Sequence, residues 1–384
     1  MNTRKIINNL NNISPTLNSK LVYLNRIKNN LPVYNGGLGE NPLPTPKYLV
    51  EAMEKNLTKK EYTSIEGRSV FKNAVFSHYS NNLNKVIVSN GLKELIFSLS
   101  FNWENKIFIP VPCWVTYLED MKILKKDYYK IECNSNSNFK LTSENLEKAL
   151  IENNGKDSLL FLNNPTNPTG SVYSPSELQD LSKIFKKYNL TVFADEIYFN
   201  TSQTKTLSIS KVYDKCIIGS SLSKDWASGG WRFGWMLFND NLKELHQKMT
   251  SFGSIMYSCP SDFLNDVGAE ALLNNGNKEH FNKQKEYFKN ISDNVENELK
   301  GSKIISSDFE GAWYKWLDLV NYKNKLEKLN INNSKELTES LGNNLGLIVV
   351  PGHCFGIEGL TFRLSMIDTN IHIGVRKLVA WLNS

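Results

Sequence analysis

Between residues 85 and 240, short apolar runs alternate with stretches whose apolar residues recur every three or four positions. The runs are KVIVSN (85–90), KIFIP (106–110), YYKIEC (128–133), SLLFLNN (158–164), LTVFAD (190–195), KCIIGS (215–220) and FGWMLF (233–238). Most are apolar at successive positions, which predicts strands covered by helices on both faces. The intervening SENLEKALIENN (143–154) and SPSELQDLSKIFKKYN (174–189) predict helices. The second opens on Ser174, Pro175 and Glu177, a favourable helix start. Strand–helix alternation on this scale predicts an α/β sheet domain.

Past residue 240 the pattern changes. Helical periodicity runs from 240 to 301, and AWYKWLDL (312–319), LGLIVVPG (345–352) and LTFRLSM (360–366) predict strands of a smaller α/β unit closed by a helix over 370–383. The first 40 residues are poorly patterned and are expected to form an arm. The expected division is an N-terminal arm packing with the small domain (1–44), a large domain (45–260) and a small C-terminal domain (261–384).

Composition narrows the function classes. Hydrophobic residues are 40% and charged residues 22% of 384, ordinary for a globular chain. The formal charge of +6 is spread over interleaved lysines and acids, so no nucleic-acid partner is expected, although a few placed cations could hold a small anion. The start, MNTRKIINNLNNISPTLNSK, lacks the apolar core of a secretory signal, and no run of about 20 apolar residues predicts a membrane span. Five scattered cysteines without zinc spacing read as free thiols in a reducing compartment, so a cytoplasmic protein without a metal site is expected.

Ligands of open α/β sheets collect beyond the carboxyl ends of the strands, and the unusual residues fall there. Gly91 links a strand to a helix start, so the amides of Leu92 and Lys93 could bind a phosphate, although most such turns simply turn. NNPTNPTG (163–170) is a stiff loop that could present an Asn to a ligand oxygen. In VFADEIYFN (192–200), Asp195 emerges where the apolar run stops, as a helix cap or as partner to a buried cation, and Tyr198 could face the same cavity. Glu196, its neighbour, should point to the opposite face, which argues against a cooperating acid pair. SSLSK places three serines and Lys224 in one turn, and Arg232, eight residues on, suits a phosphate or carboxylate as well as it suits a surface position. Together these parts fit a phosphorylated pyridine aldehyde held by a lysine.

As an ordered set, from GGLGENPLPTP (36–46) to FRLSM (362–366), the motifs resemble those of the class I/II pyridoxal-phosphate-dependent aminotransferases of fold type I. The resemblance implies a large domain on a mixed, mostly parallel seven-stranded sheet between helices, with a smaller α/β C-terminal domain and an N-terminal arm. It implies pyridoxal 5'-phosphate as cofactor and amino-group transfer from an α-amino acid to a 2-oxo acid. Lys224 resembles the Schiff-base lysine, Asp195 the partner of the pyridinium nitrogen, and Asn167 and Tyr198 the donors to the ring hydroxyl oxygen. Ser221, Ser223 and Arg232 match phosphate ligands beside the Gly91 turn with its Leu92 and Lys93 amides, and Trp114 resembles the aromatic stacked on the ring. Arg363 matches the grip on the substrate carboxylate, and Gly39 lies in the substrate-side loop, with Asn167 and Trp114 also facing substrate. Tyr62 resembles a tyrosine reaching the neighbouring subunit's phosphate, which implies a homodimer.

Ser228, Phe233 and Cys113 depart from the family's pattern and bear on the substrate pocket. Specificity is expected near Trp226, Trp231 and Phe233, against core packing as the other reading of the tryptophans. Three rivals stand beside transfer. A β-lyase or cyclising synthase of the same fold would use the same residues. A serine hydrolase is suggested by SLSK (221–224), which satisfies S-x-x-K, but no K-T-G follows. A non-catalytic regulator would carry an added DNA-binding module, for which residues 1–40 are too short.

Overall fold

The computed structural model describes residues 15–79 and 82–384. After a short strand, β1 (Tyr34–Asn35), seven strands form the main sheet: β2 (Lys85–Ser89), β3 (Ile107–Val111), β4 (Tyr128–Glu132), β5 (Leu159–Asn163), β6 (Thr191–Asp195), β7 (Cys216–Ser221) and β8 (Gly234–Phe238). Their order is β2-β8-β7-β6-β5-β3-β4. All pairings are parallel except those of β8, which runs antiparallel to β2 and β7. Each strand lies within a residue of the run that predicted it.

The continuous apolar runs follow from two covered faces. Leu160, Leu162, Val192, Ala194, Ile218 and Leu237 enter one core, while Leu159, Phe161, Phe193, Ile217 and Met236 enter the other. Successive side chains alternate between faces, so both must be apolar. Helix Pro175–Lys187 begins on the expected capping box, with Ser174 and Glu177 each satisfying the other's backbone N–H.

Helices Lys243–Met256, Asp262–Leu273 and Asn277–Leu299 fill the helical stretch. The second packs on Lys47–Asn56 and Ser69–His78, and its Leu264, Val267 and Ala271 share a core with Phe71 and Trp235. It therefore lies in the layer of the large sheet, although it follows residue 260.

The later strands are β9 (Ile305–Ser306), β10 (Tyr314–Asp318), β11 (Leu347–Ile348), β12 (Val350–Pro351) and β13 (Thr361–Ser365). Four of them form an antiparallel sheet in the order β12-β13-β10-β9. The run LGLIVVPG, expected as one strand, is split: β11 pairs in parallel with β1, and β12 pairs with β13. Helices Asn277–Leu299 and Ile371–Asn383 cover this unit through Ile291, Val295, Val375 and Leu378.

The N-terminal segment meets the same unit. Beside the β1–β11 pairing, Arg26 on helix Pro15–Lys28 donates to the carbonyls of Gly342 and Asn343 at 2.9 and 3.0 Å. Residues 1–14 of the expected arm lie outside the described residues. Among the described residues no helix is long and apolar enough to cross a membrane.

Candidate active site

A cleft of about 1490 Å³ opens between the carboxyl ends of β5, β6 and β7 and the small sheet, walled by Asn163, Asp195 and Ser221 on one side and Ile348, Pro351 and Arg363 on the other. Lys224 enters it three residues past β7. Its Nζ donates to the Gly39 carbonyl at 2.6 Å and lies 5.7 and 5.9 Å from the ring centres of Trp313 and Tyr198. The Asn41 amide donates to the Lys224 carbonyl at 3.0 Å and also to Gln284, anchoring the substrate-side loop to the lysine's backbone.

Asp195 closes β6 and is only 4% exposed. Tyr117 donates its hydroxyl to Oδ2 at 2.5 Å, and the Ile197 N–H reaches Oδ1 at 3.2 Å. Burial pushes this carboxyl up to about 6, against those hydrogen bonds and the charge of Lys224. Glu196 faces away, accepting the Ile209 N–H at 2.9 Å, as alternation along a strand requires.

Tyr198 shares a 2.9 Å hydrogen bond with the hydroxyl of Tyr314. Asn167 is positioned through its own N–H, which donates to Asn163 Oδ1 at 2.7 Å. Its side-chain oxygen accepts from Arg363 at 3.1 Å. Arg363, on β13, also donates to the Gly37 carbonyl at 3.0 Å and lies 4.5 Å over the Tyr314 ring and 5.2 Å over that of Phe355. It is buried, its Nε has no partner among the described residues, and burial lowers its pKa from the ordinary arginine value. A buried guanidinium with an unused donor is a receptor for an anion.

At the other end, Gly91 (φ 104°, ψ 148°) precedes helix Leu92–Asn102. An added Cβ there would come within 2.2 Å of Arg232 Nη2, and one on Gly234 within 2.3 Å of the Leu92 nitrogen. These glycines let a guanidinium, a helix start and β8 converge. The first amides of that helix have no intrahelical partner and carry the positive end of its dipole. Ser221 Oγ accepts the Ser223 N–H at 3.1 Å, and both serines line the cleft. Lys224 bonds Gly39, not Ser221, so S-x-x-K forms no hydrolase dyad.

Trp114 stands at the start of helix Val115–Leu124, edge-on to Tyr117, with Lys93 Nζ 5.5 Å from its ring centre. Gly39, Leu92, Lys93, Trp114, Asn167, Asp195, Tyr198, Ser221, Ser223, Lys224, Arg232 and Arg363 all border the one cleft. Gly91 sits just behind it. Tyr62 is not brought there: it is 91% exposed.

The expectation that Trp226, Trp231 and Phe233 set specificity is overturned, since none borders the cleft. Trp226 donates to Asn277 Oδ1 at 3.0 Å and packs on Trp235 and Phe281, Phe233 packs on Phe71, and Trp231 lies against the same core. The turn after Lys224 folds Trp226 and Phe233 into the core that holds Phe71 and Trp235, with Trp231 half-buried against it. Ser228 and Cys113 are likewise outside the cleft walls. Tyr117 and Tyr314 were missed. Tyr117 lies within the first turn after Trp114, a spacing that returns a helical side chain to the same side, while nothing in AWYKW distinguished Tyr314 from a core residue.

The donor set fits pyridoxal phosphate. A buried carboxylate without a cationic partner suits a protonated ring nitrogen, a lysine suits an aldehyde, and a cradle that any Cβ would fill suits a phosphate. Among the described residues no group of His, Cys, Asp or Glu could hold a metal ion.

Fold and site together define a fold type I pyridoxal-phosphate-dependent transferase. Comparison with known proteins gives the family. The family model for aminotransferase class I and II matches residues 33–377. A "Probable aspartate/prephenate aminotransferase" of Rickettsia felis is 30% identical over 92% of this chain and 89% of its own. The aspartate aminotransferase of Bacillus sp. (strain YM-2) is 28% identical over 86% of each chain. Among solved structures, Thermus thermophilus aspartate aminotransferase with maleate superposes with a TM-score of 0.84 at 22% identity over 96% of both chains. An aromatic aminotransferase from Pyrococcus horikoshii superposes with 0.79 at 20% over 94% of this chain and 97% of that one. The chain belongs to the class I and II aminotransferases, which transfer an amino group between an amino acid and a 2-oxo acid with pyridoxal phosphate.

Proposed function

We propose that Lys224 is the covalent anchor and proton carrier of this aminotransferase, and that its preferred amino donor is a dicarboxylic amino acid. When bound, the cofactor supplies an aldehyde that takes up the amino group and a ring that accepts the electron pair left at Cα. The chain's residues do the rest. Arg363 holds the substrate α-carboxylate through donors that Asn167 and Gly37 already align. Freed by the incoming amine, Lys224 would take the proton from Cα and deliver it to the former aldehyde carbon of the cofactor, and the second half-reaction would run the same transfer in reverse. Asp195, oriented by Tyr117, would hold the ring nitrogen, Tyr198 and Asn167 would hold the ring oxygen, and Ser221, Ser223, Arg232 and the helix start would hold the phosphate.

The observation that carries the donor class is Lys93, an exposed cation that borders the cleft beside Trp114 and near Asp120, whose ionised form its charge favours. It supplies a second positive site, besides Arg363, for a distal carboxylate. The names of the Rickettsia and Bacillus relatives agree with this class. A panel of aspartate, glutamate, phenylalanine and alanine against 2-oxoglutarate, pyruvate and oxaloacetate tests it. Aspartate should lead, and Lys93→Ala should raise KM for aspartate by about 10-fold, the scale of one charge-assisted hydrogen bond, while leaving alanine unchanged. Equal KM effects on both donors would remove Lys93 from the reading.

The exposed Tyr62 fits contribution to a neighbouring copy's phosphate site in a homodimer. The packing of Asp262–Leu273 supports ending the large cofactor-binding domain at Leu273 instead of 260. Five free cysteines suit a cytoplasmic setting.

A further inference from the structure

Asp225 follows Lys224 directly, yet it faces away from the cleft and none of its atoms borders it. It is 1% exposed. Its Oδ2 accepts two hydrogen bonds from a single residue, the Asn200 N–H at 3.1 Å and the Asn200 side-chain amide at 2.8 Å. Asn200 lies two residues past Tyr198, in the one-turn helix Phe199–Thr201. The backbone carbonyl of Asp225 meets His280 Nε2 at 2.8 Å, on helix Asn277–Leu299. One residue thus ties together the turn that carries Lys224, the turn that carries Tyr198 and the long helix beside the small sheet.

This arrangement is costly as packing alone. Oδ1 of Asp225 is buried without a partner among the described residues, and burial pushes the carboxyl up to about 7 against the Asn200 hydrogen bonds. An unpaired buried oxygen costs stability that an apolar side chain would not. What the acid provides is geometry. Two hydrogen bonds converging on one oxygen fix both the separation and the tilt of the two turns. On the cleft side of those turns, Lys224 Nζ and the Tyr198 ring stand 5.9 Å apart.

We propose that Asp225 is a positioning residue that, through Asn200, holds Lys224 and Tyr198 in register across the cofactor. The proposal rests on the roles given above to Lys224 and Tyr198. Because Arg363 grips the substrate from a separate element, loss of the clamp acts on the proton-transfer step more than on substrate capture. A displacement of about 1 Å at such a step costs on the order of 100-fold in rate.

The experiment uses cofactor-loaded enzyme carrying Asp225→Ala, Asp225→Asn, Asn200→Asp, and the exchanged pair Asp225→Asn with Asn200→Asp. Asp225→Asn keeps an accepting oxygen where both Asn200 hydrogen bonds converge, whereas the exchange restores only the side-chain bond, with its donor and acceptor reversed. Readouts are kcat and KM for the amino donor, and the cofactor's absorbance titrated against pH without substrate. Asp225→Ala should lower kcat by roughly 10- to 100-fold with KM changed by less than about threefold, and move the absorbance titration by more than about half a pH unit. Asn200→Asp, which sets two acids together, should behave likewise, Asp225→Asn should keep most of kcat, and the exchanged pair should recover part of the kcat that Asn200→Asp loses. An Asp225→Ala enzyme with wild-type kcat and titration overturns the proposal. So does an exchanged pair no better than Asn200→Asp alone, a comparison that survives if the alanine variant fails to fold. The underlying reading fails separately, if Lys224→Ala keeps the wild-type cofactor spectrum.

Discussion

A guanidinium as enclosed as that of Arg363, close to the rings of Tyr314 and Phe355 and with its Nε unpartnered among the described residues, has a donor left for an anion. Lysine cannot reproduce its planar fork, so Arg363→Lys should raise KM for amino donors by about 10- to 100-fold, while kcat falls less. Steady-state kinetics separate the two. Tyr117 acts on the opposite pole. Tyr117→Phe removes a hydrogen bond to a buried carboxylate, of the kind that contributes about 1.5–3 kcal/mol, and leaves Asp195 harder to ionise. The cofactor-loaded variant should lose roughly 10-fold or more in kcat, chiefly below neutral pH, and a uniform loss at every pH would point away from Asp195. Asp195 and Lys224 were legible as charged residues at or just past the end of an apolar strand, whereas Arg363, in the middle of β13, was legible only through the resemblance of TFRLS. Tyr117 and Tyr314 were not, because a tyrosine in an apolar run looks the same whether its hydroxyl meets a carboxylate or its ring fills a core.

At the scale of elements, the phosphate end depends on backbone that only glycine adopts. Gly91 holds φ 104° and ψ 148°, and a methyl group there would collide with Arg232. Gly91→Ala should therefore cost about 1–3 kcal/mol in backbone strain and push Arg232 aside, weakening cofactor binding by at least about 10-fold. Equilibrium dialysis against pyridoxal phosphate reads the affinity, and unchanged binding would show that the helix start alone holds the phosphate. The seven strands of the main sheet were legible almost to the residue, because two-sided burial demands unbroken apolar runs, whereas the two-residue strands β1 and β9 were not. Strand partners were not legible either: LGLIVVPG reads as one strand, yet Val349 separates a piece bonded to β1 from a piece bonded to β13. The same blindness misplaced Trp226, Trp231 and Phe233, whose direction depends on how the turn after Lys224 folds back into β8.

The whole molecule carries several buried carboxyls that burial holds above their ordinary values: Asp195 to about 6, Asp120 and Asp225 to about 7, and Glu196 to about 8. Each binds its proton more tightly folded than unfolded. Their contribution to stability is therefore full below about pH 4, and it is lost as pH rises through about 6 to 8. The thermal midpoint of cofactor-free protein should fall between pH 5 and 8, and bound cofactor should blunt the fall near pH 6 by pairing Asp195. A midpoint that rises over this range would contradict the sign. Subunit sharing has its own test. If Tyr62 serves the neighbouring copy, mixing the inactive variants Lys224→Ala and Tyr62→Ala should create hybrid dimers with one complete site, restoring up to about a quarter of wild-type activity from none.

By itself the sequence determined the strand and helix alternation, the two-faced sheet, the cofactor class and which charged residues to look for at the cleft. Each of these is a local property, either apolar periodicity or a short ordered motif. Only the tertiary structure decided which side chains meet. It brought Tyr117 to Asp195 and Tyr314 between Tyr198 and Arg363, turned three aromatic rings from the cleft into or against the core, and clamped Asp225 to Asn200 behind the lysine. The physical reason is that contact across a sheet or between two turns is fixed by packing and register. Neither leaves a mark on the spacing of residues along the chain.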